Sequence, residues 1–256
     1  AAFQQAWLVP LSADQQLWVN NVAAVATQVP SPLVPGTFAA AAQAASIAQS
    51  AGLRYALTGQ ASDLAKAVSA LVVADVPPPS ANSFIIRPEV LTSYLSAYDF
   101  IRGAPAADLA PATRATIETR LLSIAQSLDN GNNTLSNARG KIGATRGLAG
   151  VLLGDQALLD EGLTDLEGHL GYSTTDDGWF ADSQGHYLNY TLRHVGLFAR
   201  AYEQGSGVDL FPALTPYYET SLGLRLPDGT VPNVSNGLVS PVATHTLMQT
   251  GDAATR

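Results

Sequence analysis

Apolar residues recur along most of the chain at helical spacing. Leu91, Tyr94, Leu95, Tyr98 and Ile101 form the clearest stripe, because steps of three and four residues keep side chains on one face of a helix. Before residue 224, no stretch shows the strict alternation that is typical of a half-buried strand. The pattern therefore predicts an all-α protein.

Proline and glycine positions set the expected limits of these helices. Pro88 and Pro111 are expected in the first turn of a helix, whereas Gly59 and Gly154 are expected to end one. The predicted helices cover residues 12–28, 37–58, 63–73, 88–101, 111–128, 135–153, 156–170, 186–203 and 211–222. Short turns separate most of them, which favours antiparallel neighbours.

A weak internal repeat links residues 57–64 with residues 152–159, since both read as helix, glycine turn, helix. Repeated helical hairpins either stack as a solenoid or close into a ring. The repeat is too irregular for a regular array, so we expect a single domain over residues 1–256, a closed or incomplete ring of antiparallel hairpins. Residues 1–11 are expected to be irregular, and residues 224–256 to be loop-rich, as in a truncated chain.

Composition and charge narrow the possible partners. The chain has 256 residues, 46% of them hydrophobic, which is enough for a substantial core. Its net charge of −8 argues against a nucleic-acid partner, which would need a basic stripe. An anionic sugar chain stays possible, because a few local cations can outweigh distant negative charges that salt screens. Cysteine is absent, so neither a disulfide nor a thiolate metal site is expected.

No apolar run is long enough to span a membrane, since polar residues interrupt the alanine-rich stretch 38–51. The low charge content fits an exported protein, and the Ala1-Ala2 start is compatible with a mature N-terminus after signal cleavage. We therefore expect a secreted or periplasmic protein with no membrane partner. The oligomeric state is not indicated.

Residues 176–194 begin as a polar turn and continue as a predicted helix, and they contain two of the four histidines. At helical spacing, His186, Tyr190 and Arg193 share one face, while Tyr187, Tyr190 and His194 share an overlapping one. A phenol and an imidazole within one or two helical turns form a compact set for proton transfer.

Three segments resemble the α/α-toroid polysaccharide lyases, the group that includes heparinase-like, alginate and hyaluronate/chondroitin lyases. They are the helix around Ala97-Tyr98-Asp99, the turn Asn132-Asn133-Thr134 before a helix that ends at Gly154-Asp155, and the stretch from Asp177-Gly178 to Tyr190-Thr191. The loop 226–232 is also typical of the group, and the resemblance covers about residues 85–240. It implies an α/α toroid, and the C-terminal β-sandwich of relatives is not expected in this chain.

The resemblance implies β-elimination in a uronate-containing glycan, so the expected partner is an anionic polysaccharide. A hydrogen-bond donor must neutralise the uronate carboxylate while charge develops beside it. A base takes the C5 proton and an acid protonates the leaving O4. Tyrosine can do either if nearby cations lower its pKa. No metal or organic cofactor is needed.

Asn133 is the expected neutraliser, with Asn132 beside it, because related lyases carry Asn in the matching turn. Thr134 stands where these relatives often have His, which is a departure from the group's pattern. The alternative is an Asn-rich turn that caps the next helix.

The segment from Tyr190 to His194 is similar to the helix that carries the catalytic tyrosine of alginate-type exolyases, which implies Tyr190 as the acid or base. Aligned instead with hyaluronate-type lyases, His186 falls near the base and His194 takes the place of the acid. Which of these three residues takes the proton and which returns it stays open. Tyr187 is a candidate substrate contact, and both tyrosines have an alternative as core aromatics.

Basic and aromatic residues near these motifs are candidates for holding the substrate. Arg193, Arg139 and Lys141 could bind its carboxylates, and an arginine can do so with two hydrogen bonds. Trp179 could stack on a sugar ring, and its alternative is a core aromatic. Arg146 is expected to be a structural ion-pair or surface arginine.

Two rival functions remain. A glycoside hydrolase on the same scaffold would need two opposed carboxyl groups, which Asp176, Asp177 and Asp182 could supply. A non-catalytic carbohydrate-binding toroid would need none of these groups for turnover.

Overall fold

The computed structural model describes residues 20–21, 24, 37–76, 83–128, 137–173, 186–223, 227, 230–231 and 240–241. Helices with defined bounds are α1 (Phe38–Thr58), α2 (Ala61–Leu71), α3 (Ser83–Ile101), α4 (Pro111–Gln126), α5 (Asn137–Leu153), α6 (Gln156–Ser173), α7 (His186–Ser206) and α8 (Phe211–Gly223). Strands β1 (Thr230–Val231) and β2 (Ser240–Pro241) pair antiparallel. The chain divides into two compact units, unit 1 (residues 1–127) and unit 2 (residues 128–256). The single domain over residues 1–256 stays a prediction.

Unit 1 is built on α1, which packs against both α2 and α3. Gly52 allows the approach to α3, because a Cβ there would lie 2.9 Å from the Ala97 carbonyl oxygen. Gly59 ends α1 with a left-handed φ of 71°, and its N–H donates to the Tyr55 carbonyl oxygen at 2.7 Å. The core combines buried residues of these three helices and of α4, among them Ile47, Leu64, Leu71, Leu91, Tyr94, Leu95, Tyr98, Ile117 and Leu121.

Unit 2 is built on α5, which packs against both α6 and α7. Glycines bring these backbones together: a Cβ on Gly162 of α6 would lie 2.4 Å from the Gly147 amide nitrogen of α5. A Cβ on Gly150 would lie 2.5 Å from the Leu159 amide nitrogen, and one on Gly147 would meet the Phe198 ring of α7. The glycines that interrupt α5 in the sequence are therefore its contact points.

The internal repeat is confirmed, because Gly59 and Gly154 end their helices with φ angles of 71° and 72° and each opens a hairpin. Pro111 begins α4 as predicted. The placement of Pro88 in a first turn is wrong: α3 begins at Ser83, so this proline lies inside the helix. Pro88 is buried within α3, and burial of the α3 stripe outweighs the one helical hydrogen bond that it cannot donate.

Among the helices that the structure describes, none is both long and apolar enough to cross a membrane. Of the predicted helix 12–28, only residues 20, 21 and 24 are described, and they are helical.

Candidate active site

Helices α5, α6 and α7 approach one another closely around Gly140. A Cβ on this glycine would lie 2.7 Å from both His169 Cδ2 of α6 and Thr191 Cγ2 of α7. The absence of a side chain at this position thus lets an imidazole and a threonine converge on the α5 backbone. We call the group formed by Arg139, Lys141, Arg146, Asp165, His169, Arg193 and His194 the α5–α7 polar cluster.

His194 lies in α7 and is buried, with 9% of its surface exposed. Burial, together with the nearby positive charges of Lys141 and Arg193, lowers its pKa to about 3. The imidazole is therefore neutral at neutral pH. A neutral ring can accept or donate a hydrogen bond there, but it holds no extra proton to give away.

Lys141 has no exposed surface. Its ammonium acts on His194 through space. This buried position suits an electrostatic role, and the substrate contact expected of Lys141 from the sequence stays a prediction. A charge inside the protein acts strongly on its neighbours, because the effective dielectric constant there is far below that of water.

Arg146 and Arg139 share one carboxylate. Arg146 Nη1 lies 3.1 Å from Asp165 Oδ2, and Arg139 Nε lies 3.6 Å from Asp165 Oδ1. Arg146 also donates to the Leu128 carbonyl oxygen. The structural role expected for Arg146 is thus what its contacts show. Arg139 holds the same carboxylate from the other side, and any role in substrate binding stays a prediction.

His169 was not identified from the sequence. It is buried in α6, and burial together with the Arg139 charge lowers its pKa to about 4. Its position could have been found, because it continues the buried stripe formed by Leu158, Gly162 and Leu166 at helical spacing.

Arg193 is exposed on the outer face of α7, where Leu197 follows one turn later. No ion pair is recorded for Arg193 within the described residues, whereas Arg200 on the same face pairs with Glu203 at 2.6 Å. Arg193 is thus the cation of the cluster that is best placed for a ligand from solvent. Four cations against Asp165 and Glu161, which lies 3.9 Å from Arg146, make the cluster locally positive in a chain of net charge −8.

The remaining candidates are described only in part or not at all. His186, Tyr187 and Tyr190 belong to α7, and the backbone places Tyr190 one helical turn before His194. Their side chains, and all of Asn132, Asn133 and Trp179, lie outside the described residues. The three aspartates that a glycoside hydrolase would use, Asp176, Asp177 and Asp182, also lie outside the described residues. Their roles stay predictions.

In the parts of the chain that the structure describes, no group of three or more histidine and acidic side chains is placed to hold a metal ion.

Paired helices joined at glycine turns define the class of fold, an all-α arrangement of hairpins of the α/α-toroid type. Solved structures with the same fold include alginate lyase A1-III from Sphingomonas species A1, at a TM-score of 0.59 and 20% identity over 72% of this chain and 57% of that one. A variant of this lyase complexed with a tetrasaccharide has a TM-score of 0.59 and 21% identity over the same shares. A variant in its apo form has a TM-score of 0.60 and 20% identity, over 76% of this chain and 62% of that one.

These likenesses confirm the predicted fold class and the resemblance to α/α-toroid polysaccharide lyases as a likeness of fold. The chain spans somewhat more than half the length of these structures. No family model matches the sequence, and no curated protein matches it.

Proposed function

We propose that this protein is a polysaccharide lyase that cleaves a uronate-containing glycan by β-elimination. The observation that carries the proposal is the positive α5–α7 polar cluster, on a fold shared with alginate lyases. An acidic protein that places four cations against the carboxylates of Asp165 and Glu161 on three packed helices is suited to an anionic chain. Alginate-type polyuronates are the first substrates to test.

In the proposed reaction the C5–H bond and the C4–O4 bond of a uronate break, and a C4–C5 double bond forms. The C5 proton leaves to a base, and O4 of the leaving sugar receives a proton from an acid. Asn133 would donate a hydrogen bond to the uronate carboxylate, where negative charge builds up in the transition state. Nothing in this scheme requires a cofactor.

Tyr190 is the proposed proton-transfer residue. It precedes His194 by one turn of α7, close in the chain to Arg193, and cations near a phenol lower its pKa and stabilise the phenolate that a base requires. His194 is neutral, since its pKa is about 3, so we assign it a hydrogen-bonding role and not that of the proton donor. Arg193, from the solvent-facing side, would hold a substrate carboxylate.

The hydrolase alternative would need two opposed carboxyl groups. The candidates for these groups, Asp176, Asp177 and Asp182, lie outside the described residues, whereas the fold is shared with alginate lyases. We therefore prefer the lyase. A non-catalytic binding protein remains the second alternative and predicts no turnover with any glycan.

Replacing the phenol of Tyr190 tests the assignment. Tyr190→Phe should lower kcat by about 10²-fold or more, because general acid–base catalysis contributes about 10²–10⁴-fold. Tyr202→Phe is the matched control, since Tyr202 lies on the same helix and its ring contacts Phe198. An unchanged kcat in Tyr190→Phe would contradict the assignment, and equal losses in both variants would point to a structural cause.

A further inference from the structure

Unit 1 contains a cavity of about 750 Å³ at the C-terminal end of α2, between α3 and α4. Its wall carries two guanidinium groups (Arg87 and Arg120), the carboxylate of Asp75, four hydroxyl groups from threonine and serine, and four apolar side chains. Its volume lies in the range of about 300–1,000 Å³ that is typical of small-molecule sites. Every lining residue belongs to unit 1, whereas the α5–α7 polar cluster belongs to unit 2.

The charged groups of this wall are held in place. Arg87 is 5% exposed, and its two terminal nitrogens donate to the Ser127 carbonyl oxygen at 2.9 Å and to Ser127 Oγ at 2.7 Å. Arg120 is exposed, and its Nε donates to the Ala74 carbonyl oxygen. This hydrogen bond orients the Arg120 guanidinium beside Asp75 through Nε, so it does not use the two terminal nitrogens.

Arg120 and Asp75 are neighbours that do not neutralise each other by contact. The described residues include no ion pair between them, and Asp75 Oδ1 accepts the Val76 N–H at 2.9 Å. Both charges act on the buried Tyr94 phenol, whose pKa burial raises to about 12. The wall thus offers a cation and an anion side by side, each with hydrogen-bonding capacity toward the cavity.

We propose that this cavity is a second, non-catalytic site for a uronate unit. A uronate needs a cation for its carboxylate, acceptors and donors for its hydroxyls, and an apolar surface for its C–H face. Arg120 supplies the cation with its two terminal nitrogens, and Asp75 and wall hydroxyls such as that of Ser123 supply the hydrogen-bond acceptors and donors. The valine and isoleucine side chains supply the apolar surface. The choice of a uronate among hydroxylated carboxylates rests on the proposed function.

Calorimetric titration of the intact chain tests the site. Glucuronate and mannuronate are the probes, with glucose and mannose as matched ligands that lack the carboxylate. We expect the uronates to bind, the neutral sugars to bind at least about tenfold more weakly, and Arg120→Gln to weaken uronate binding about tenfold or more, since hydrogen bonds to charged groups are the stronger kind. Arg102→Gln is the control, because Arg102 is exposed and pairs with Asp99 at 2.8 Å.

A second variant keeps the test independent of the arginine. Ser123→Leu places an apolar side chain in the cavity from an exposed position on α4 and should block uronate binding while the fold persists. Equal affinities for uronates and neutral sugars, unchanged affinity in both variants, or equally tight binding of acetate would overturn the proposal. Titrating Arg193→Gln as well separates the two sites, because Arg193 is the substrate-holding residue proposed for the catalytic site: uronate binding to the cavity should persist in that variant, and Arg120→Gln should retain turnover.

Discussion

Gly162→Ala should destabilise unit 2, because it places a methyl group where two helix backbones touch. The new Cβ would lie 2.4 Å from the Gly147 amide nitrogen, 2.5 Å from Gly147 Cα and 2.7 Å from the Gly143 carbonyl oxygen. All three atoms are backbone, so no side chain can rotate away. Helices α5 and α6 would have to separate by roughly 1 Å to restore ordinary contact.

The magnitude follows from two opposing terms. Overpacking of a close contact costs typically about 1–3 kcal/mol, and a clash with backbone on a neighbouring helix belongs at the upper end. Replacing glycine by alanine inside a helix stabilises the helix by about 1 kcal/mol, which offsets part of this cost. We expect the free energy of unfolding to fall by about 2 kcal/mol.

Gly171→Ala is the matched control, since it lies on the same helix and a Cβ there meets nothing within 4 Å. It should stabilise the protein by about 0.5–1 kcal/mol, for the backbone reason alone. Urea unfolding followed by circular dichroism measures both variants against the unmodified chain. If Gly162→Ala is as stable as Gly171→Ala, the close α5–α6 packing inferred here is refuted.

Three further predictions concern the α5–α7 polar cluster. Because the pKa of His169 is about 4 when folded and near 6.5 when unfolded, its contribution to stability is complete above about pH 6.5 and is lost as the pH falls toward 4. His169→Gln should therefore reduce the difference in the free energy of unfolding between pH 7 and pH 5. An unchanged difference would contradict the burial of a neutral imidazole. Asp165→Asn should lower the free energy of unfolding by about 3 kcal/mol or more, because it removes the carboxylate charge that Arg139 and Arg146 share. Glu161→Gln should lower it by under about 1 kcal/mol, because the Glu161 side chain is 58% exposed. Similar losses in the two variants would refute the network. Arg193→Gln should raise KM about tenfold with a smaller effect on kcat, while Arg200→Gln should leave both unchanged; a KM that does not move would remove Arg193 from the substrate site.

The helices of this fold were predictable where local chemistry decides them. Gly59 and Gly154 adopt left-handed backbone angles that end helices, and Pro111 fits a first turn. Pro88 misled because its local preference for a helix start was outweighed by burial of the residues around it, so α3 begins five residues earlier.

The cluster was predictable only in part, since contacts between helices leave a weak trace in the sequence. The spacing of α7 indicated Arg193 and His194 as site candidates on two overlapping faces of one helix, and the structure adds the buried Lys141 charge that acts on His194. The role of Gly140 could not be inferred, because a missing side chain shows its purpose only when His169 and Thr191 are placed against it.

The central claim is that this protein eliminates across a uronate linkage, and the most direct measurement follows the product. The intact chain is incubated with alginate, glucuronan, hyaluronan, chondroitin and heparan, and both ultraviolet absorbance and new reducing ends are recorded. We expect at least one of these anionic polymers to yield reducing ends and absorbance in equal molar amounts, because each cleavage creates one C4–C5 double bond. Reducing ends without absorbance would identify a hydrolase, and neither signal with any polymer would contradict the assignment as a lyase.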